Sequence, residues 1–296
     1  LYGIAPVDYT SGIGPFVMKN VAAMEGKGLD LNMNSVNTTG QLRWTSDVNL
    51  SFNTDKVTKY HMETRAATLF ISGINLISGK EGAPVYSMYS YKWMGLDPQD
   101  GAALGLLDGQ PSREYRKFTG TNATVDDLVF HGSILPKIFG SLGNTIAWRD
   151  WALTMRWTFK FDYYFRRETI RYSSLFSTWN GHGDFNKRWQ QPGDEQKTDI
   201  PAMAYPILSG AEIFYPSAEP FVERGDQVRF EYLNLSYRIK GAPKSWFKDV
   251  FLSVNVNNLG LIYRKNKAGI DPDFSKSSST GFSPSKIYSL NIKCSL

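Results

Sequence analysis

Cysteine is nearly absent: the 296 residues contain one, Cys294. A single thiol excludes an intrachain disulfide and a cysteine-based zinc site, and says little about redox compartment. Histidine is scarce too. His61, His131 and His182 lie far apart in sequence and show no metal-ligand spacing. No apolar run approaches the ~18–20 residues of a membrane helix, and mean hydropathy is −0.33. A membrane β-barrel stays open, because its strands carry their hydrophobicity at every second position. A strong charge of one sign is also lacking. The 33 basic and 28 acidic residues leave +5, too mild an excess to imply nucleic acid. There is no initiator Met or signal peptide at Leu1. LYGIAPVDYTSGIGPF reads as the middle of a loop, so a processed piece or a fragment is expected.

Aromatic residues are plentiful, at 14%, which excludes a disordered chain. Many of them alternate with polar residues. In the terminal KIYSLNIKCSL, Tyr288, Leu290, Ile292, Cys294 and Leu296 share one parity, and Ser289, Asn291, Lys293 and Ser295 share the other. Successive side chains of a strand point to opposite faces, so such a segment has one apolar and one polar side. The same period recurs at about 28–36, 42–53, 138–148, 151–166, 228–240 and 249–258. It is clearest in WALTMRWTFKFDYYF. There Trp151, Leu153, Met155, Trp157, Phe159, Phe161 and Tyr163 oppose Ala152, Thr154, Arg156, Thr158, Lys160, Asp162 and Tyr164. No segment reads as a helix longer than a turn or two.

Connections fall into two classes. Asn37-Thr38-Thr39-Gly40 and Arg149-Asp150 are tight turns, and 240–248 is a short link. The segments at about 54–137, 167–226 and 259–284 are long, and loops of that length are usually functional. Two architectures accept such strands. A soluble β-sandwich would bury the apolar faces between two sheets. A membrane barrel would turn them to lipid, with short periplasmic turns and long extracellular loops. Strand length favours the barrel, since alternation from Trp151 runs for about thirteen residues against the five or six usual in soluble strands. Trp44, Trp148, Trp151, Tyr163, Tyr237 and Tyr288 near strand ends fit interfacial girdles. The apolar segment at 85–96 is expected to pair with a return segment near 103–117. Seven or nine strands is an odd number, which cannot close as a purely antiparallel barrel, so an arc of a larger barrel is expected.

Several stretches resemble one family. KNVAAMEGKGLDLNMNSVNT followed by LRWTSDVNLSFNTDKV, MGLDPQDG, HGSILPKIFGSLGNTIAW, KRWQQPGDEQKTDIP, GDQVRFEYLNLSYRI and LSVNVNNLGLIYRKNKAGIDPDF occur in this order. Together they resemble the SusC/RagA family of TonB-linked outer-membrane transporters, from about residue 18 to Leu296. The resemblance implies an all-β fold: antiparallel transmembrane β-barrel strands, a C-terminal arc of a barrel of about 22 strands, with long extracellular loops. Residues 1–296 would then be the C-terminal part of the barrel, with the N-terminal plug and first barrel strands absent from this chain. It implies a transporter rather than an enzyme, placed in the bacterial outer membrane and using no cofactor. Its partners would be a SusD-like surface lipoprotein, TonB acting through the absent N-terminal region, outer-membrane lipid, and a glycan or peptide substrate. One departure is Leu296, where such barrels commonly end in Phe.

The candidate substrate-binding residues lie in the 172–221 loop: Tyr172, Trp179, His182, Asp184, Trp189, Tyr205 and Tyr215. Aromatic faces stack on sugar rings, and Asp and His hydrogen-bond hydroxyls. The competing reading is that these residues pack the loop on itself or against a lid. Arg188, Trp189, Asp194 and Glu195 match the family's loop motif and point to structure. Asp97-Pro98-Gln99-Asp100-Gly101 lacks the carboxylate spacing of a calcium loop and reads as a Pro- and Gly-built turn. No catalytic and no metal-ligating residues are assigned. A soluble or surface carbohydrate-binding β-sandwich and a small standalone outer-membrane barrel enzyme are the alternative functions.

Overall fold

A computed structural model describes residues 2–12, 14, 16–61, 67–72, 77, 80–120, 123–241, 246–274 and 283–295. β1 (Tyr2–Pro6) and β2 (Phe16–Asn20) pair as an antiparallel hairpin. β3 (Ala22–Thr39) and β4 (Leu42–Tyr60) follow, 18 and 19 residues long. The next excursion holds α1 (Ala67–Ser72), β5 (Ser87–Tyr91), β6 (Trp93–Leu96), β7 (Ala103–Leu107), β8 (Gln110–Ser112), α2 (Tyr115–Thr119) and β9 (Leu128–Ser133). β10 (Ile138–Trp148) and β11 (Trp151–Phe161) form a second long hairpin. A second excursion holds β12 (Tyr164–Arg166), α3 (Tyr172–Thr178), α4 (Ala211–Phe214) and β13 (Val222–Arg224). β14 (Gln227–Lys240), β15 (Asp249–Arg264) and β16 (Ile287–Ser295) come last.

Seven strands build one antiparallel sheet in the order β16-β15-β14-β11-β10-β4-β3, so chain order is spatial order. All seven are segments that alternation predicts. Six successive antiparallel pairings make the two edge strands run in the same direction. The register aligns residues of like polarity across the sheet. Trp44, Ile146, Leu153, Leu235, Val254 and Leu290 form one cross-strand row. On the other face, Thr45, Thr145, Thr154, Asn234, Asn255 and Ser289 form another. A bulge at Glu231 shifts the parity of β14, and the shift brings Phe230 beside Trp157, with ring centroids 5.1 Å apart. Without that extra residue Phe230 would fall on the polar side.

The apolar face is uncovered. Leu235 is 39% exposed, Val254 43% and Leu290 68%. None of these side chains belongs to the hydrophobic clusters of the described residues. The polar face carries ion pairs. Arg156 donates to Asp47 at 2.8 Å, across Gly143 on the intervening strand. Arg229 donates to Asp271 at 2.7 Å and Lys160 to Asp273 at 2.8 Å, tying the 265–274 segment to the sheet.

Four expectations need correction. β11 ends at Phe161, because Asp162 adopts φ +59° and turns the chain aside. Tyr163 is therefore buried, accepting a hydrogen bond from Gln227 Nε2 at 3.1 Å, and is no girdle residue. β3 runs on through 37–39, so the turn falls at 40–41, with a bulge between Val36 and Thr38. The 85–96 segment does not join the wall. β5 pairs with β9, and only β6 pairs with β7, in separate small sheets. Leu296 lies outside the described residues.

Candidate functional site

Both excursions fold into one unit beside the long-loop end of the sheet. Phe70, Tyr89, Tyr91, Tyr115, Phe118 and Leu128 from the first share a buried cluster with Ile170, Tyr172, Trp189, Phe214 and Phe221 from the second. Phe214 is the hub. It is fully buried and meets the rings of Tyr91, Trp93, Tyr115 and Phe118 at centroid distances of 5.1–6.3 Å. Arg166 clamps the excursions together, donating to the carbonyls of Ile71 and Tyr89. Burial lowers its pKa to about 10.

The unit separates the sequence-predicted site residues into two groups. Tyr172, Asp184, Trp189 and Tyr215 are buried. The Tyr172 hydroxyl donates to the Pro201 carbonyl at 2.5 Å, and its backbone N–H to Glu212 at 2.9 Å. Burial raises the pKa of both Tyr172 and Tyr215. Asp184 accepts from Arg167 Nη1 and Thr169 Oγ1, both at 2.9 Å. Burial opposes its charge, but those bonds and the guanidinium hold its carboxyl below the usual range. Trp189 lies flat on Gly101, where a Cβ would sit 2.4 Å from the indole, and donates Nε1–H to Glu195 at 3.2 Å. Gly101 also has φ +70°, so glycine is required twice over.

Trp179, His182 and Tyr205 remain at the surface. Trp179 is 87% exposed and Tyr205 83%. Trp179 caps α3 with φ +58°, its N–H bonded to the Leu175 carbonyl, which turns the indole outward. Tyr205 meets Phe176 edge-on at 5.3 Å. Phe176, Met203, Leu208 and Ile213 are exposed in the same two stretches of chain. Composition gave no reason to single out Phe176, whose signal is its helical position three residues before Trp179. His182 Nδ1 accepts the backbone N–H of Asp184 at 3.1 Å.

In the Asp97–Gly101 turn, Asp97 and Asp100 both pair with Arg113, and each also accepts a backbone N–H two residues on. Among the described residues no group of three or more His, Cys, Asp or Glu is placed to hold a metal ion. Among the described residues no helix is long and apolar enough to cross a membrane, which leaves crossing by strands open.

Architecture and exposure define an all-β wall of sequential antiparallel strands with an ordered unit beside it. Three solved structures share this fold. A chain of the RagAB peptide transporter matches with TM-score 0.66 and 20% identity, over 98% of this chain. The RagAB peptide importer in the open-open state matches with TM-score 0.69 and 19% identity over the whole chain. In the closed-closed state the values are 0.67, 18% and 98%. This chain spans 31% of the length of each. No family model matches the chain, and no curated protein matches it.

Proposed function

We propose that this chain forms part of the barrel wall and outer mouth of a SusC-type, TonB-dependent outer-membrane importer of glycans or peptides. The observation that carries the reading is the uncovered apolar face of the seven-stranded sheet, opposite a face crossed by ion pairs. Water penalises the first surface and lipid the second, so the sheet belongs at a boundary between them. The alternative of a soluble carbohydrate-binding sandwich needs that face covered by a second sheet, and the described residues supply none. Edge strands running in the same direction fit an arc that further strands, odd in number, complete into a closed barrel. Those strands and the plug would come from elsewhere in the full-length protein.

In this reading the polar face borders the plug, which TonB acts on. The exposed Phe176, Trp179 and Tyr205 lie at the mouth, where a SusD-like lipoprotein closes over substrate. His182, three residues after Trp179, offers a polar group. Tyr172, Asp184, Trp189 and Tyr215 hold that surface in place from beneath.

Fractionation tests the proposal. The full-length protein should resist carbonate washing of membranes and enter solution only with detergent. Release by carbonate would defeat it and favour the sandwich. Trp179→Ala should reduce substrate uptake several-fold without changing the amount in the membrane.

A further inference from the structure

A cleft of about 620 Å³ opens in the outer unit between the β7–β8 hairpin and α2. We infer that it is a binding subsite for a carboxylate carried on an aliphatic chain. The inference deepens the import reading, on which it rests for access from outside the cell.

The size suits a small organic ligand, for which pockets run to roughly 300–1,000 Å³. Its apolar lining includes Tyr91, Leu107, Phe118, Leu128 and Phe214, of which Tyr91, Phe118, Leu128 and Phe214 are buried. The charged lining residues are three cations, Lys92, Arg116 and Lys117, and two carboxylates, Asp108 and Asp127. These charges are committed to different degrees. Lys117 pairs with Glu114, and Arg116 spends Nε on Ser209 at 3.0 Å, leaving its terminal nitrogens. Asp127 caps the turn at Thr124 through Oδ2. Lys92 has no ion pair or hydrogen bond to a described residue. An ammonium with no protein acceptor beside an apolar cleft is matched by a carboxylate.

The lining also argues against a sugar. Glycan hydroxyls need side chains that donate and accept side by side, and no Asn or Gln is among the lining residues. Aliphatic and aromatic surface with a cation at the edge suits an apolar carboxylate instead. Such a group could be a peptide C-terminus or a fatty acid.

The test uses the full-length protein in lipid nanodiscs and titration calorimetry with three probes: acetyl-dileucine, its C-terminal amide, and octanoate. Acetyl-dileucine or octanoate should bind, and whichever is tighter identifies the source. The amide should bind at least about tenfold more weakly than acetyl-dileucine if the peptide is the source. Lys92→Ala should cost the carboxylate probe roughly tenfold and leave binding of the amide unchanged. Leu107→Trp fills the cleft and should abolish binding. Equal affinity for acid and amide with no octanoate binding would overturn the inference. So would undiminished carboxylate binding in Lys92→Ala, or no binding of any probe to the unaltered protein. Nanodisc incorporation reports separately on the barrel reading, since a protein that incorporates but binds nothing fails here alone.

Discussion

Gly143 shows how one missing side chain shapes the polar face. It lies between Asp47 and Arg156 in register, and a Cβ there would sit 2.1 Å from the Asp47 carboxylate. Gly143→Val should therefore break the pair and strain the sheet, at a cost of about 1–3 kcal/mol. In an Asp47→Ala background the same change should cost less, because the obstructing carboxylate is gone. Thermal unfolding of the unaltered protein and the three variants measures the coupling, and additive effects would mean that Gly143 acts elsewhere. His131 supplies a pH-sensitive contact outside the wall. Its Nε2 lies 2.7 Å from the fully buried Ser90 Oγ, its ring 5.9 Å from that of Tyr164, with Glu219 and Arg166 as the charged neighbours. Burial lowers its pKa from 6.5, outweighing the attraction of Glu219. The unfolded chain then takes up a proton before the folded one does. Stability from this site is full above about pH 6.5 and falls as pH drops through that value. Protease resistance of the outer unit should decline between pH 7 and 5.5, and His131→Gln should flatten that decline.

At the scale of elements, alternation made the wall legible because one apolar and one polar face impose a strict period of two. Trp157, Phe159 and Leu235 needed no tertiary information to be assigned a face. Breaks in strands were not legible. WALTMRWTFKFDYYF alternates smoothly past residue 161, yet Asp162 turns the chain and sends Tyr163 inward. A left-handed residue carries no periodic signature. The faces make opposite predictions for neighbouring residues. Phe159 lies over Gly140 on the apolar side, and Leu153 sits in the row with Ile146 and Leu235. Arginine at either position should cost roughly 2–4 kcal/mol at mid-membrane and lower the assembled fraction. Thr158 donates to Glu231 at 2.5 Å on the other face. An arginine there meets a carboxylate and should assemble normally. Equal assembly of Phe159→Arg and Thr158→Arg, measured as heat-modifiable protein in membranes, would remove the facing assignment.

The whole molecule divides its stability between two kinds of contact. The wall is held by backbone ladders between strands consecutive in the sheet, some joined by tight turns and some, such as β4 with β10 and β11 with β14, joined across an excursion. At the centre of the outer unit, Phe214 meets rings about 100 or more positions away, such as that of Tyr91. No local pattern encodes such contacts, so residue type alone could not separate Tyr172 and Tyr215, which build the core, from Trp179 and Tyr205, which face outward. The division predicts independent failure. Phe214→Ala removes a fully buried ring from the centre of four others and should cost about 3–5 kcal/mol, all of it in the outer unit. The wall has no side chain in that cluster. Limited proteolysis should then cut within 167–226 in the variant, while the long strands stay protected and heat-modifiable in the membrane. Loss of both together would mean that the outer unit is part of the wall's folding nucleus, and that the two excursions must dock before the strands can close.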